Sequence, residues 1–396
     1  MARYFANTNS FIQLHVTGEL PLNNRAGWIT VQLASASFVS IDSTTDEAST
    51  GWTRSDNVDE ATFDTPASCI RDRYALFSLR TDQRKIASAV LKAQVAKEEK
   101  KYLVDNPNFR RPPKQKREEI KDAVKAKLLA KADPIPSVVD ASWNTDNGVL
   151  TLYSTSPSVI DRFAEQFSKT FPGLTLSVIH PFARATNLLD GTLLDALNEA
   201  NQANSDAVSA MIRDNCWIGD DFLLWLLYRG LNGEGEYLTN VPGHTGTGET
   251  FSAWIDDKIV MQGGSEEGGM QKVAISGSQD KYTEVRTALA MAKSITSGTI
   301  FVEHGENEWR ISLVGNSFAF KSFKCPNVRI EKDATVDELS ELEAVFFEKM
   351  YLIEQGLQFF DSMFKQFLAE RLGSEWGGKQ AAIRSWITPE ATAIYP

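Results

Sequence analysis

The chain has 396 residues, of which 42% are hydrophobic, so it can bury the cores of two or three folded domains. Its formal net charge of −11, taken alone, argues against a polyanionic partner. No apolar run reaches the roughly 18 residues of a membrane span, the first residues lack the pattern of a secretion signal, and the 3 cysteines and 4 histidines are scattered singly. We therefore expect a cytoplasmic protein with no membrane span, no metal and no other cofactor.

Strand patterns alternate with helical patterns in the first half of the chain. Alternating or β-rich runs predict strands at residues 11–16, 28–33, 74–79, 138–143, 149–153 and 174–179. Ser156 followed by Pro157 predicts the beginning of an amphipathic helix that runs to about residue 170. These elements indicate an α+β domain over residues 1–189.

Two helices are predicted between the third and fourth strands. Residues 86–103 are rich in Ala, Lys, Glu and Leu and contain no Gly or Pro, while residues 114–131 place Ile120, Val124 and Leu128 on one helix face. Asn and Pro residues separate the two helices. The sequence therefore predicts a helical hairpin inserted into the first domain.

Basic residues are concentrated in this insertion. Residues 71–131 hold 18 Lys and Arg against 8 Asp and Glu, a local balance of +10, while the rest of the chain holds 23 against 44, a balance of −21. Such asymmetry favours binding of a polyanion through phosphate contacts that do not read bases. The alternative is a solvated helix surface balanced by its own carboxylates, at Glu98, Glu99, Glu118, Glu119 and Asp122.

We call the segment of about residues 84–132 the basic hairpin, and its cations are the predicted DNA-contacting residues. They are Arg84, Lys85, Lys92, Lys97, Lys100, Lys101, Arg110, Arg111, Lys114, Lys116, Arg117, Lys121, Lys125, Lys127 and Lys131.

The remainder predicts a second α+β domain at 190–330 and a long C-terminal helix with a tail at 331–396. The second domain has helical patterns at 222–228 and 282–294, and turn residues predict hairpins at Asp256–Asp257 and at 305–307. A capping box at Thr335 and Glu338 opens the long helix, which continues to Gly373. Its apolar stripe consists of Leu339, Leu342, Phe346, Met350, Ile353, Leu357, Phe360, Phe364 and Phe367. A helix this long is expected to pack along other units or a partner subunit.

Two segments resemble catalytic or nucleotide-binding motifs. Residues 243–250 have the spacing of a phosphate-binding P-loop, but Glu249 stands where the lysine belongs and residues 251–260 alternate like a strand instead of opening a helix. Glu249, Asp256, Asp257 and Lys258 are the compact candidates for a metal-dependent nuclease. Because Asp-Asp between apolar runs is more often a turn, we predict no catalytic residue and no metal site.

Several segments resemble the RdgC family: Gly51-Trp52, residues 74–86, the charged helical pair with Leu128-Leu129, and residues 143–153. The match is best over residues 50–185. The resemblance implies a nucleoid-associated, ring-shaped homodimer that encircles double-stranded DNA with little sequence preference and restrains a RecA-type recombinase during recombination and repair. The chain departs from the family at residues 128–133, where Leu-Leu-Ala-Lys-Ala-Asp replaces a pattern whose final Phe is implicated in closing the ring at the hairpin tip.

Three functions are therefore weighed. The first is a non-catalytic clamp on duplex DNA, with the basic hairpin facing the DNA. The second is a metal-dependent nuclease. The third is a protein-interaction scaffold whose long Phe-rich helix docks a partner.

Overall fold

The computed structural model describes residues 3–21, 23–265, 268–277, 282–328 and 338–388. Helices and antiparallel strands mix in these residues, which confirms the predicted α+β class. In chain order the strands are β1 (Thr8–Thr17), β2 (Ala48–Thr53), β3 (Ile70–Arg71), β4 (Tyr74–Arg84), β5 (Pro134–Asn144), β6 (Val149–Leu152), β7 (Thr175–Val178), β8 (Glu236–Leu238), β9 (Thr250–Ser265), β10 (Gly268–Ser276), β11 (Ser294–His304), β12 (Asn307–Val314) and β13 (Ala319–Lys324). The helices are α1 (Arg25–Ser35), α2 (Ser88–Asp105), α3 (Lys114–Leu129), α4 (Pro157–Thr170), α5 (Pro181–Leu188), α6 (Gly191–Glu199), α7 (Val208–Asp214), α8 (Trp217–Leu231), α9 (Thr283–Ala290), α10 (Glu338–Leu372) and α11 (Trp376–Ile387).

The chain forms two compact units. Of the described residues, the first contains those within Gly18–Asp146 and Arg162–Leu174, and the second those within Ala2–Thr17, Asn147–Asp161 and Thr175–Pro396. They are discontinuous because β1 pairs with β13 and with β6, partners far away in the sequence that local patterns cannot reveal. The domain boundaries predicted at residues 189 and 330 stay a prediction.

The first unit contains the sheet β5-β4-β2, with β3 also paired to β4. The register of β4 and β5 runs from Tyr74 opposite Asn144 to Arg84 opposite Pro134. The chain leaves the sheet after Arg84, forms α2 and α3, and returns at Pro134. The predicted helical hairpin between neighbouring strands is thus confirmed.

Aromatic side chains fill the core of this unit. Trp52, Phe77 and Phe163 are all fully buried, and the Trp52 ring lies 5.1 Å from Phe77 at 90° and 5.3 Å from Phe163. Trp52 Nε1 donates to Thr170 Oγ1 at 2.7 Å, so the indole nitrogen has a partner despite its burial. This core fixes the sheet from which the basic hairpin extends.

The residue before Trp52, Gly51, has no room for a side chain. A Cβ added at Gly51 would lie 2.4 Å from Phe38 Cα and 2.6 Å from Phe38 N, both of them backbone atoms. Because backbone cannot move aside cheaply, we expect Gly51→Ala to lower the free energy of unfolding by about 3 kcal/mol. Urea unfolding measures this loss.

The matched control for Gly51 is Gly378→Ala. Gly378 lies in α11, and an added Cβ there meets no atom within 4 Å. Alanine is the better helix former, so this variant should gain up to about 1 kcal/mol. An equal response of both variants would contradict the close approach described at Gly51.

The second unit contains the sheet β10-β9-β11-β12-β13-β1-β6, with β7 paired to β1 and β8 paired to β9. The long helix α10 packs within this unit, and Trp309 Nε1 of β12 donates to the Leu352 carbonyl at 2.8 Å. The predicted stripe is buried at Phe346, Met350, Ile353, Leu357, Phe360, Phe364 and Phe367, whereas Leu342 is 40% exposed. Thr335 of the predicted capping box and the side chain of Leu339 lie outside the described residues.

Among the helices of the described residues, none combines the length and apolar character that crossing a membrane requires.

Two predicted elements are wrong. Residues 28–33 belong to α1, where Ile29 and Leu33 are buried four residues apart on one helix face, so the short apolar run follows a helical period. Asp256–Asp257 is not a hairpin turn, because β9 continues through it. The pairing of β9 with β11 shifts register there, and Asp257 adopts φ 67°, which is a β-bulge.

Candidate nucleic-acid interface

The basic hairpin is largely exposed to solvent. Its helices α2 and α3 pack against each other, yet α2 buries no residue and α3 buries only Val124 and Leu129. Helices of this kind gain little from a hydrophobic core. The hairpin therefore presents most of its side chains to solvent.

Thirteen of the fifteen predicted DNA-contacting cations are exposed, at Lys85, Lys92, Lys97, Lys100, Lys101, Arg110, Arg111, Lys114, Arg117, Lys121, Lys125, Lys127 and Lys131. Lys116 is half-buried, and Arg84 is 7% exposed. Within residues 84–132 these cations outnumber carboxylates by fifteen to six, a net charge of +9. Hence the charge that the sequence concentrates in one segment also lies on an accessible surface.

Four cations line one side of α3. Lys114, Arg117, Lys121 and Lys125 follow one another at steps of three or four residues, which places them on a single helix face. At 1.5 Å per residue the row is about 16 Å long, and it can contact several phosphates of one duplex.

The first turn of α3 breaks an electrostatic rule of helices. Lys114, Lys116 and Arg117 lie there, and the turn has no acidic residue, although the partial positive charge of a helix N-terminus disfavours cations. Of these three cations, Lys116 has its unfavourable interaction with the helix dipole compensated by a carboxylate. Its Nζ donates to Glu119 at 2.9 Å, and this hydrogen bond raises the pKa of Lys116. A bound anion would relieve the remaining repulsion.

Arg84 differs from the other predicted DNA-contacting residues. Its guanidinium is buried and donates to the backbone carbonyls of Asp46 at 3.1 Å, Ile41 at 2.8 Å and Thr44 at 3.1 Å, and also to that of Ala132. These contacts join the two ends of the insertion to a neighbouring loop. Arg84 therefore holds the base of the hairpin and is not on its accessible cationic surface.

Residues 128–133 also lie at this base, and not at the tip where the family resemblance placed them. Arg84 contacts Ala132, and Pro134 directly afterwards pairs with Arg84 in the sheet. The tip is the segment 106–113 between α2 and α3. Asp133, which stands where the family has the Phe implicated in ring closure, therefore lies at the base of the hairpin.

The tip carries one side chain that the predicted site omitted. Phe109 is 46% exposed and precedes the exposed pair Arg110 and Arg111. A turn sequence, Asn106-Pro107-Asn108, followed by an aromatic residue and two arginines was the available signal.

The four nuclease candidates do not converge. Glu249 accepts from the Gly246 backbone N–H at 3.3 Å and lies 3.3 Å from His304 Nε2, whereas Asp257 pairs with Arg310 in the β-bulge. Across the described part of the chain, no group of three or more His, Cys, Asp and Glu is arranged to hold a metal ion.

The P-loop-like segment is a loop packed against α10. Thr245 N donates to Gln358 Oε1 at 2.9 Å, and a Cβ added at Gly243 would lie 2.3 Å from the Gln358 side chain. Strand β9 follows it, as the alternation predicted, so no helix N-terminus is available to hold a phosphate there.

Comparison with known families locates a match in the first half of the chain. The family model described as "RdgC: Putative exonuclease, RdgC" matches residues 16–199, a segment that includes the whole basic hairpin. No curated protein matches the chain. The resemblance inferred from residues 50–185 is confirmed by this match.

Proposed function

The chain is RdgC-like over residues 16–199, and from that premise we propose that it binds double-stranded DNA without sequence preference through the basic hairpin and modulates homologous recombination. The observation that carries the proposal is the exposed cationic surface of the hairpin, above all the row on α3. Lysine and arginine side chains of this kind contact phosphates, so they supply affinity without reading bases.

The distribution of charge supports binding at this surface. Residues 84–132 have a net charge of +9, and the whole chain has −11. The remainder of the chain therefore has a net charge of −20. DNA is repelled by the acidic remainder and attracted to the hairpin. Neutralising six to ten phosphates would supply most of the affinity through release of counterions.

The resemblance extends the proposal to assembly and cellular role. We propose a ring-shaped homodimer in the cytoplasm, associated with the nucleoid, which restrains a RecA-type recombinase by occupying duplex DNA. Sedimentation of the wild-type protein tests the dimer. Strand exchange by the recombinase, with and without the protein, tests the restraint.

Titration of the wild-type protein against two unrelated duplexes, followed by fluorescence anisotropy across a salt series, tests DNA binding. We expect equal affinities for both sequences and a fall of about a thousandfold between 50 and 200 mM salt, because six to ten phosphate contacts give a steep salt slope. Absence of duplex binding even at low salt would contradict the proposal and favour the protein-interaction scaffold.

The same samples separate binding from catalysis. We propose that the protein is not an enzyme, and expect the duplexes to stay intact after incubation with Mg²⁺. Magnesium-dependent cleavage that is lost in Asp256→Ala would instead establish the nuclease.

A further inference from the structure

The tip of the basic hairpin presents an aromatic ring to solvent. Phe109 is 46% exposed, although phenylalanine is among the residues most often buried. Its ring centroid lies 6.5 Å from that of Tyr102 on α2, at an interplanar angle of 39°, so the ring has one aromatic neighbour and is otherwise partly open to solvent. A single exposed ring is ordinary on a protein surface, and its surroundings decide whether it binds something.

Local hydrogen bonds and prolines hold the segment that carries Phe109. The Phe109 N–H donates to the Asn106 carbonyl at 3.1 Å across a turn whose second residue is Pro107. Asn106 Nδ2 in turn donates to the Tyr102 carbonyl at 3.0 Å at the end of α2, and Pro112 is buried. Little conformational entropy is lost when a ring presented in this way contacts a partner.

The charge around Phe109 favours nucleic acid over protein. Residues 106–117 contain five cations and no carboxylate, and Arg110 and Arg111 are exposed directly after the ring. A duplex offers both surfaces that such a tip needs, apolar base faces and flanking phosphates. Two tips meeting in a second copy of the chain would place these arginines against each other.

We propose that Phe109 inserts between adjacent base pairs of bound duplex DNA, while Arg110 and Arg111 contact the neighbouring phosphates. This inference rests on the proposed function and adds an unstacking contact to its phosphate contacts. Insertion of an apolar side chain unstacks a base step and unwinds the duplex locally. The protein therefore distorts the duplex that it binds, without selecting a sequence.

The test uses duplexes that contain 2-aminopurine, whose fluorescence rises when the base is unstacked, in parallel with anisotropy across salt. We expect the wild type to raise the fluorescence, Phe109→Ala to abolish most of the rise and weaken binding about tenfold, and Phe109→Trp to preserve both. The salt slope should be the same in all three proteins, because their charges are equal. Val104→Ala is the matched control, since Val104 lies on α2 of the same hairpin and is 79% exposed.

Each other outcome has a definite meaning. Steep salt-dependent binding with no fluorescence rise, or a full rise in Phe109→Ala, overturns the insertion while duplex binding by the hairpin stands. A change of sedimentation in Phe109→Ala with unchanged fluorescence makes the tip a contact between copies and also overturns it. If the wild type does not bind duplex at all, the insertion and the proposed function are both wrong.

Discussion

Replacing Lys114, Lys121 and Lys125 together by Glu should weaken duplex binding at least about a hundredfold at moderate salt. All three side chains are exposed on one face of α3, so the change removes three of the proposed phosphate contacts and places three carboxylates along the same row. Each lost contact lowers the salt slope by about 1, so the slope should fall by about 3. Anisotropy titration across a salt series gives both numbers from one set of samples.

A control of equal charge separates the hairpin from the overall electrostatics. Lys272, Lys321 and Lys324 are exposed on strands of the second unit, and their replacement by Glu changes the net charge by the same amount. We expect this control to keep the wild-type slope and to lose affinity only slightly through long-range repulsion. If both triple variants respond alike, DNA binding does not depend on the row on α3, and the interface lies elsewhere.

The hairpin could be predicted because local signals agree along its whole length. Its helices consist of strong helix formers, Asn106 and the prolines beside it break the pattern once, and Pro134 ends it. The helices α2 and α3 contact each other, so each has a partner that is close in sequence. The family pattern over residues 50–185 supplied the hypothesis of DNA binding for an element that the residues had already outlined.

Elements that depend on tertiary contacts were not predictable in the same way. Residues 28–33 alternate like a strand, yet Ile29 and Leu33 are buried on one face of the helix α1. A short apolar run fits both the two-residue period of a strand and the 3.6-residue period of a helix, so the surrounding core decides which one forms. The bulge at Asp257 and the close approach of Phe38 to Gly51 depend on neighbouring backbone that no local pattern reports. Charge alone likewise could not distinguish Arg84, which is buried, from Lys85, which is exposed.

The N-terminus of α3 links the fold to the proposed function. Natural helices usually place acidic residues in the first turn, and this one places Lys114, Lys116 and Arg117 there without a compensating carboxylate in that turn. Residues that oppose a local rule are expected at functional sites. A phosphate at this end of α3 would interact favourably with the side chains and with the helix dipole at once.

Arg84 and Lys85 are adjacent in sequence, and we expect their replacement to have opposite consequences. Arg84→Met removes the donor that four backbone carbonyls share, at Ile41, Thr44, Asp46 and Ala132. Buried acceptors without a donor are destabilising, so the free energy of unfolding should fall by about 3 kcal/mol, while the salt slope of DNA binding stays unchanged in the folded protein. Urea unfolding and anisotropy measure the two effects separately.

Lys85→Met should leave stability nearly unchanged and lower the salt slope of DNA binding. Its side chain is exposed, so the free energy of unfolding should change by no more than about 0.5 kcal/mol, whereas the salt slope should fall by about 1 if Lys85 contacts a phosphate. The two variants together test whether the cationic surface begins at Lys85. A lower slope with unchanged stability in Arg84→Met would show that the guanidinium reaches DNA, and that its contacts with the four carbonyls do not hold the hairpin base.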